Sequence, residues 1–156
     1  MLPLLPHLEY ITFAEPCAGD GSLIRILQSH GLICTWASDI DPQGENITKM
    51  DVLTPTHDLS GHAQIITNPA WDKDLLHPMI DILRVQAPTW LLFYADWIHT
   101  RQAVGYRRPT NYLKYCHKIV SIGRVSWEQN GVYGKDNCAW YLFKDTPADT
   151  IFYGRK

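Results

Sequence analysis

No two cysteines of this sequence stand close enough to suggest a shared metal or a disulfide framework. Cys17, Cys34, Cys116 and Cys138 are scattered, with no CxxC pair. Reduced thiols in a cytoplasmic protein are the expectation. No apolar run approaches the roughly 18 residues of a membrane span, so no membrane partner is expected. Met1 to Leu8 is apolar but broken by Pro3 and Pro6 and lacks a basic n-region, which argues against a signal peptide. The seven histidines show no HExxH and no paired spacing, so each reads as a surface or loop residue and no metal is expected. Internal repeats and low-complexity tracts are also missing. What is present is a hydrophobic share of 46% against 19% charged residues in 156 positions. That suits one compact domain with a real core.

The net charge of −2 conceals an asymmetry. Met1 to His99 carries four Lys/Arg against twelve Asp/Glu, a net −8. Thr100 to Lys135 carries seven Lys/Arg against Glu128 alone, a net +6. A basic block on an acidic chain points to a polyanionic partner. Its members include Arg101, Arg107, Arg108, Lys114 and Lys118, interleaved with Trp97, Tyr106, Tyr112 and Tyr115.

Hydrophobic patterning predicts alternating elements. Tyr10 to Ala14 reads as a strand, and Glu15 to Gly21 as a turn-rich loop. Ser22 to His30 reads as a helix stopped by Gly31. Ile33 to Ser38 is a second strand, followed by a weak one near Lys49 to Val52 and a buried type at Ala63 to Thr67. Asp74 to Gln86 has a helical apolar face, and Thr89 to Ala95 is a fully apolar strand. This alternation predicts a parallel α/β sheet. Beyond Asp96 the pattern changes. Short helices are expected over Trp97 to Gly105 and Asn111 to Cys116, flanking a basic loop at Tyr106 to Thr110. Lys118 to Trp127 and Asn137 to Phe143 read as an antiparallel hairpin, joined by Glu128 to Asp136 with Gly131 and Gly134.

The loop Glu15-Pro16-Cys17-Ala18-Gly19-Asp20-Gly21 stands where strand passes into helix. Glycine there lets backbone approach a ligand, and the helix start offers free N–H groups. Asp39 ends the next strand, 20 residues after Gly19, the place of an acid that holds ribose hydroxyls. Asp41 is the alternative for that role. The full GxGxxG fingerprint is absent, because Ile24 stands at its third glycine. A diphosphate is thereby disfavoured. Glu15 and Asp20 suit a cationic ligand end, such as an ammonium and a sulfonium.

"FAEPCAGDGSL", "ASDIDP", "MDVL" and "IITNPAW" occur in the order seen in class I S-adenosylmethionine-dependent methyltransferases, which this chain resembles over roughly Phe13 to Trp71. It is most similar to the adenine-N6 branch. "GKDNCAWYLF" is a weaker echo of a late hairpin strand in phage-type adenine methylases. The resemblance implies a Rossmann-like fold: a mostly parallel twisted sheet, helices on both faces and a C-terminal antiparallel hairpin. It implies S-adenosyl-L-methionine as cofactor, held by residues 15–21, by Asp39 with Ile40 beside it, and by Asp51 and Val52 at the adenine. It places the catalytic tetrapeptide on Asn68-Pro69-Ala70-Trp71, with Asn68 also bordering the cofactor.

An exocyclic amine on an aromatic ring is a poor nucleophile because its lone pair is delocalised. The Asn68 amide oxygen and the Pro69 carbonyl can each accept one of its N–H groups and turn the lone pair toward a methyl donor. Trp71 offers a face for stacking. Adenine in DNA is the expected substrate, with phosphates meeting the 100–135 basic region. A protein glutamine or RNA base methyltransferase shares the Asn-Pro chemistry. A non-catalytic S-adenosylmethionine-binding protein is the third reading, prompted by Ala70 where a second proline is usual. Only 85 residues follow Trp71, and the remaining strands claim most of them. A single domain over 1–156 without a separate recognition domain is expected. Weak sequence selectivity, self-association or a partner subunit would follow.

Overall fold

The computed structural model describes residues 2–100, 103, 111–125 and 136–155. Eight strands form one sheet: β1 (Thr12–Glu15), β2 (Ile33–Asp39), β3 (Thr48–Lys49), β4 (Ile65–Thr67), β5 (Thr89–Tyr94), β6 (Cys116–Arg124), β7 (Asn137–Phe143) and β8 (Ile151–Tyr153). Their order is β3-β2-β1-β4-β5-β7-β6-β8. β1 to β5 pair in parallel, β7 runs antiparallel to both β5 and β6, and β8 is parallel to β6. Seven strands therefore point one way and β7 alone is reversed. The expected parallel α/β sheet and its late hairpin are both present. The hairpin's connection and the basic loop at 106–110 lie outside the described residues, as does much of the helix expected over Trp97 to Gly105.

Two helices cover the two faces. α1 (Ser22–Ser29) begins at Gly21, whose φ of 78° only glycine adopts cheaply. α2 (Lys73–Arg84) is capped by Asp72, whose side chain accepts from the Asp74 N–H. Strand alternation divides the core accordingly. Leu91, Phe93, Tyr141 and Phe143 meet Leu76, Ile80 and Leu83 of α2 on one face. Trp90, Leu92, Trp140 and Leu142 meet Leu27 of α1 on the other. Phe93 stacks on Tyr141 with centroids 4.1 Å apart, fastening β5 to β7.

Three departures from expectation are informative. The predicted helices after β5 are short 3-10 turns at Ala95–His99 and Tyr112–Tyr115. Another 3-10 turn, Leu5–His7, precedes β1. β8 was not expected, because Ile151 and Phe152 are more than half exposed and follow a polar stretch. Among the described residues no helix is long and apolar enough to cross a membrane.

Candidate functional site

β1, β2 and β4 all end at the same edge of the sheet, and the glycine turn leaves β1 there. Gly19 takes φ 55° and Gly21 φ 78°. Their turn is closed by a 2.7 Å bond from the Gly21 N–H to the Ala18 carbonyl. Asp39, the last residue of β2, reaches back to it. Its Oδ2 accepts from the Gly19 N–H at 2.8 Å, and its Oδ1 accepts from the Asp41 N–H at 2.8 Å. Each carboxylate oxygen keeps a further lone pair. Asp51 is fixed likewise, accepting the Leu53 N–H at 2.9 Å.

These groups wall a cavity of about 490 Å³. Pro16 to Asp20 form one side, Asp39 and Ile40 a second, and Asp51 and Val52 a third. Asn68 and Ala70 border the fourth. Ile40 is 62% exposed, an apolar surface presented at the mouth. Asp41 does not line the cavity, and its carboxylate accepts from Gln43 instead. Between the two acids considered for ribose, only Asp39 is in place.

Some expected residues lie elsewhere. Gly21 and the flank of Asp20 also border a shallower depression of about 780 Å³ between α1 and β2. The Asp20 carboxylate caps α1, accepting from the Ser22 N–H at 2.9 Å and pairing with Arg25 at 3.2 Å. Those bonds, the Ser22 hydroxyl foremost, hold it below the ordinary carboxylate range. Glu15 is fully buried beneath the turn. Its Oε1 accepts from the Cys17 N–H at 3.3 Å, and the Thr67 hydroxyl at the end of β4 opposes part of the burial effect on this carboxyl. Burial pushes this carboxyl up to about 8. Burial likewise pushes the Cys17 thiol to about 12, so it is protonated and no nucleophile near neutrality. The Ser38 hydroxyl, next to the end of β2, is buried without a partner.

Pro69 is buried and Ala70 exposed. The Trp71 indole folds inward: its Nε1–H donates to Leu92 O at 3.0 Å and to Asn68 Oδ1 at 3.3 Å. Trp71 therefore fixes which way the Asn68 amide faces, and one lone pair of that oxygen remains. This bond was not visible in the motif.

The basic residues divide between the sheet's two edges. Lys114 and Lys118 sit at the amino edge, opposite the cavity, since β6 starts level with the start of β5. Lys118 pairs with Glu9 at 3.1 Å. Arg124 ends β6 at the cavity's edge and is exposed. Arg101, Arg107 and Arg108 lie outside the described residues.

Site residues missed by sequence reasoning are Leu53, Leu75 and Met79, all on the cavity wall. Leu75 and Met79 read only as the apolar face of α2. Gly44 was missed too: a Cβ there would stand 2.8 Å from Asp20 O, so its loop packs on the glycine turn.

The sequence matches no protein-family model and no curated protein. Solved structures do match. A proposed RNA methyltransferase from Pyrococcus horikoshii superposes with TM-score 0.62 at 12% identity, over 92% of this chain and 79% of that one. The fold is that of the class I methyltransferases. A proposed class I S-adenosylmethionine-dependent methyltransferase of Listeria monocytogenes gives 0.55 at 7% identity, over 97% and 60%. The Dnmt2 methyltransferase of S. pombe gives 0.55 at 14%, over 91% and 52%. The chain spans little more than half the length of these last two.

Proposed function

We propose that this protein is an S-adenosylmethionine-dependent methyltransferase acting on an exocyclic amine, N6 of adenine in DNA being the best fit. One observation carries the reading. The glycine turn, Asp39 and Asp51 line the same cavity as Asn68. The residues suit the cofactor: Asp39 keeps lone pairs for ribose hydroxyls, and Ile40 and Val52 offer apolar faces for a purine. Bound there, S-adenosylmethionine supplies an electrophilic methyl group on a sulfonium.

The chain's own residues then orient the acceptor. Asn68 Oδ1 has one free lone pair for an amine N–H, and the Pro69 carbonyl is proposed to accept the second. Withdrawing both hydrogens toward oxygen turns the nitrogen lone pair out of the ring plane. Trp71 is a positioning residue, because its indole N–H stops the amide from flipping. No strong base is required.

The partner proposed is DNA or RNA, and a duplex base would have to be extruded into the cavity. Support comes from Arg124, exposed at the cavity's edge, and from the basic block in the sequence, of which Arg101, Arg107 and Arg108 lie outside the described residues. Lys114 and Lys118 lie at the opposite edge, so among the described basic residues phosphate contact is proposed for Arg124. Incubation with methyl-labelled S-adenosylmethionine and mixed DNA, then nucleoside digestion, should yield N6-methyladenine. Label found only on protein, RNA or cytosine would reject the substrate. Calorimetry showing no uptake of the cofactor or its demethylated product would reject the whole reading.

A further inference from the structure

The sheet's two outer strands differ in what they present. β3 is two exposed polar residues, Thr48 and Lys49, a short and charged strand of the kind that resists further pairing. β8, at the other end, carries Ile151 at 54% exposure and Phe152 at 60%. It pairs with β6 on one side, and among the described residues no strand covers the other. An apolar outer strand with backbone groups open on one side is a template for another strand.

β8 is firmly seated. Ile151, Phe152 and Tyr153 stand beside Lys118, Ile119 and Val120 of β6. The Ala148 N–H donates to Lys114 O at 3.1 Å and the Thr150 hydroxyl to Cys116 O at 2.7 Å, so the segment entering the strand is held too. Tyr153 packs on His7 with ring centroids 4.1 Å apart. The bare apolar surface is therefore that of Ile151 and Phe152.

The segment around β8 is its own complement. It reads Asp149-Thr150-Ile151-Phe152-Tyr153-Gly154-Arg155, with an acid three positions before Phe152 and a base three positions after it. Both charged residues are exposed, and neither forms an ion pair among the described residues. The Arg155 side chain lies over Gly123 of β6, with its guanidinium in solvent reach.

We infer that β8 pairs with β8 of a second copy, antiparallel about a two-fold axis through Phe152, to form a weak homodimer. A contact across such an axis sets each residue against its counterpart in both directions. In this register Phe152 meets the partner's Phe152, Ile151 meets the partner's Tyr153, and Asp149 meets the partner's Arg155. Each bare apolar residue gains an apolar neighbour and each charge gains its opposite, at the separation where cross-strand pairs stabilise. Moving the axis to Ile151 or Tyr153 slides the strands by two positions. Arg155 then faces the partner's Pro147 or the partner's Ile151, so the charges select the register. The seam is short, well under the roughly 1,600 Å² of a standard interface, so association is concentration-dependent. β5, β7 and β6 separate β8 from β4 and the cavity, so the seam is tested apart from cofactor binding.

The test is sedimentation equilibrium of the full chain from low micromolar to near-millimolar concentration, where a monomer–dimer equilibrium is expected. Phe152→Lys sets like charges on the axis and should weaken association about tenfold or more. Asp149→Arg and Arg155→Asp should each weaken it about tenfold, and the double exchange should recover most of that loss. Circular dichroism checks that the variants are folded. In the wild type alone, amide hydrogen exchange over 149–155 should slow as concentration rises. A monomer throughout overturns the inference. So does a dimer that Phe152→Lys leaves intact, a double exchange no better than the single ones, or protection that rises elsewhere but not over 149–155.

Discussion

The two edges of one sheet are built on opposite terms. At the amino edge, charged side chains pair within the chain, although the buried Arg84 Nε keeps no partner. Glu9 joins Lys118 and Lys144 at 3.1 Å each, Arg84 joins Asp145 at 2.7 Å, and Gln64 Nε2 donates to Tyr10 O at 2.7 Å. At the carboxyl edge, Glu15 at the end of β1 is wholly buried, and the Ser38 hydroxyl beside the last residue of β2 is buried without a partner. The first edge contributes to stability. The second buries polar groups beneath the cavity-lining turn at a cost in stability.

The largest effect should come from the cavity. Asn68→Ala is expected to lower kcat about 10²–10³-fold, the range for losing one preorganised polar group, while cofactor Kd changes only a few-fold. Steady-state kinetics beside calorimetry separate the two. Retained turnover would put the chemistry elsewhere.

Next in size is a pH effect at the same edge. Burial raises the Glu15 carboxyl from 4.5 to about 8. Between those values the folded chain keeps a proton that the unfolded chain has released. Stability from this group is thus greatest below pH 4.5 and declines toward pH 8, by at most about 1.4 kcal/mol per unit. Glu15→Gln should remove that slope, so its melting temperature should overtake the wild type's as pH rises from 5 to 8. Parallel curves across that window would mean Glu15 is ionised in the folded chain.

Trp71→Phe keeps the ring but removes the N–H that orients Asn68. A drop in kcat of roughly tenfold with KM little changed is expected, about 1.4 kcal/mol. A rise in KM alone would make Trp71 a substrate platform instead. The smallest effect belongs to the paired edge. Lys118→Ala should cost under about 1 kcal/mol in thermal unfolding, because Glu9 and Lys118 are partly exposed. It should leave nucleic-acid affinity unaltered, whereas Arg124→Ala should weaken it. Equal losses in both would erase the distinction between the edges.

Much of this plan could be read from residue order. The glycine turn, Asp39, Asp51 and Asn68 belong to short segments whose geometry is local, and strand alternation placed them at a common edge. What escaped depended on contacts between distant segments. Glu15 reads as an acid for a cationic ligand, but only the fold shows it wholly desolvated. Trp71 reads as a stacking face, but its N–H finds Leu92, 21 residues away. Lys118 counts toward a basic block in the sequence, yet Glu9, 109 residues earlier, neutralises it. β8 escaped because Ile151-Phe152-Tyr153 is too short to show a period, although Tyr153 packs against the core and His7.

The reversed strand β7 has a consequence for biogenesis. It fills the slot between β5 and β6, and six of its seven residues are buried. A nascent chain on the ribosome delivers β5 and then β6 with that slot open, exposing a hydrogen-bonding edge and the apolar faces of Trp90 to Phe93. At roughly 5–20 residues per second, several seconds of synthesis separate β5 from the strand that seals it. An arrested chain ending before Phe143 should therefore be a substrate for chaperones, and the methyltransferase-like half should not mature ahead of its tail.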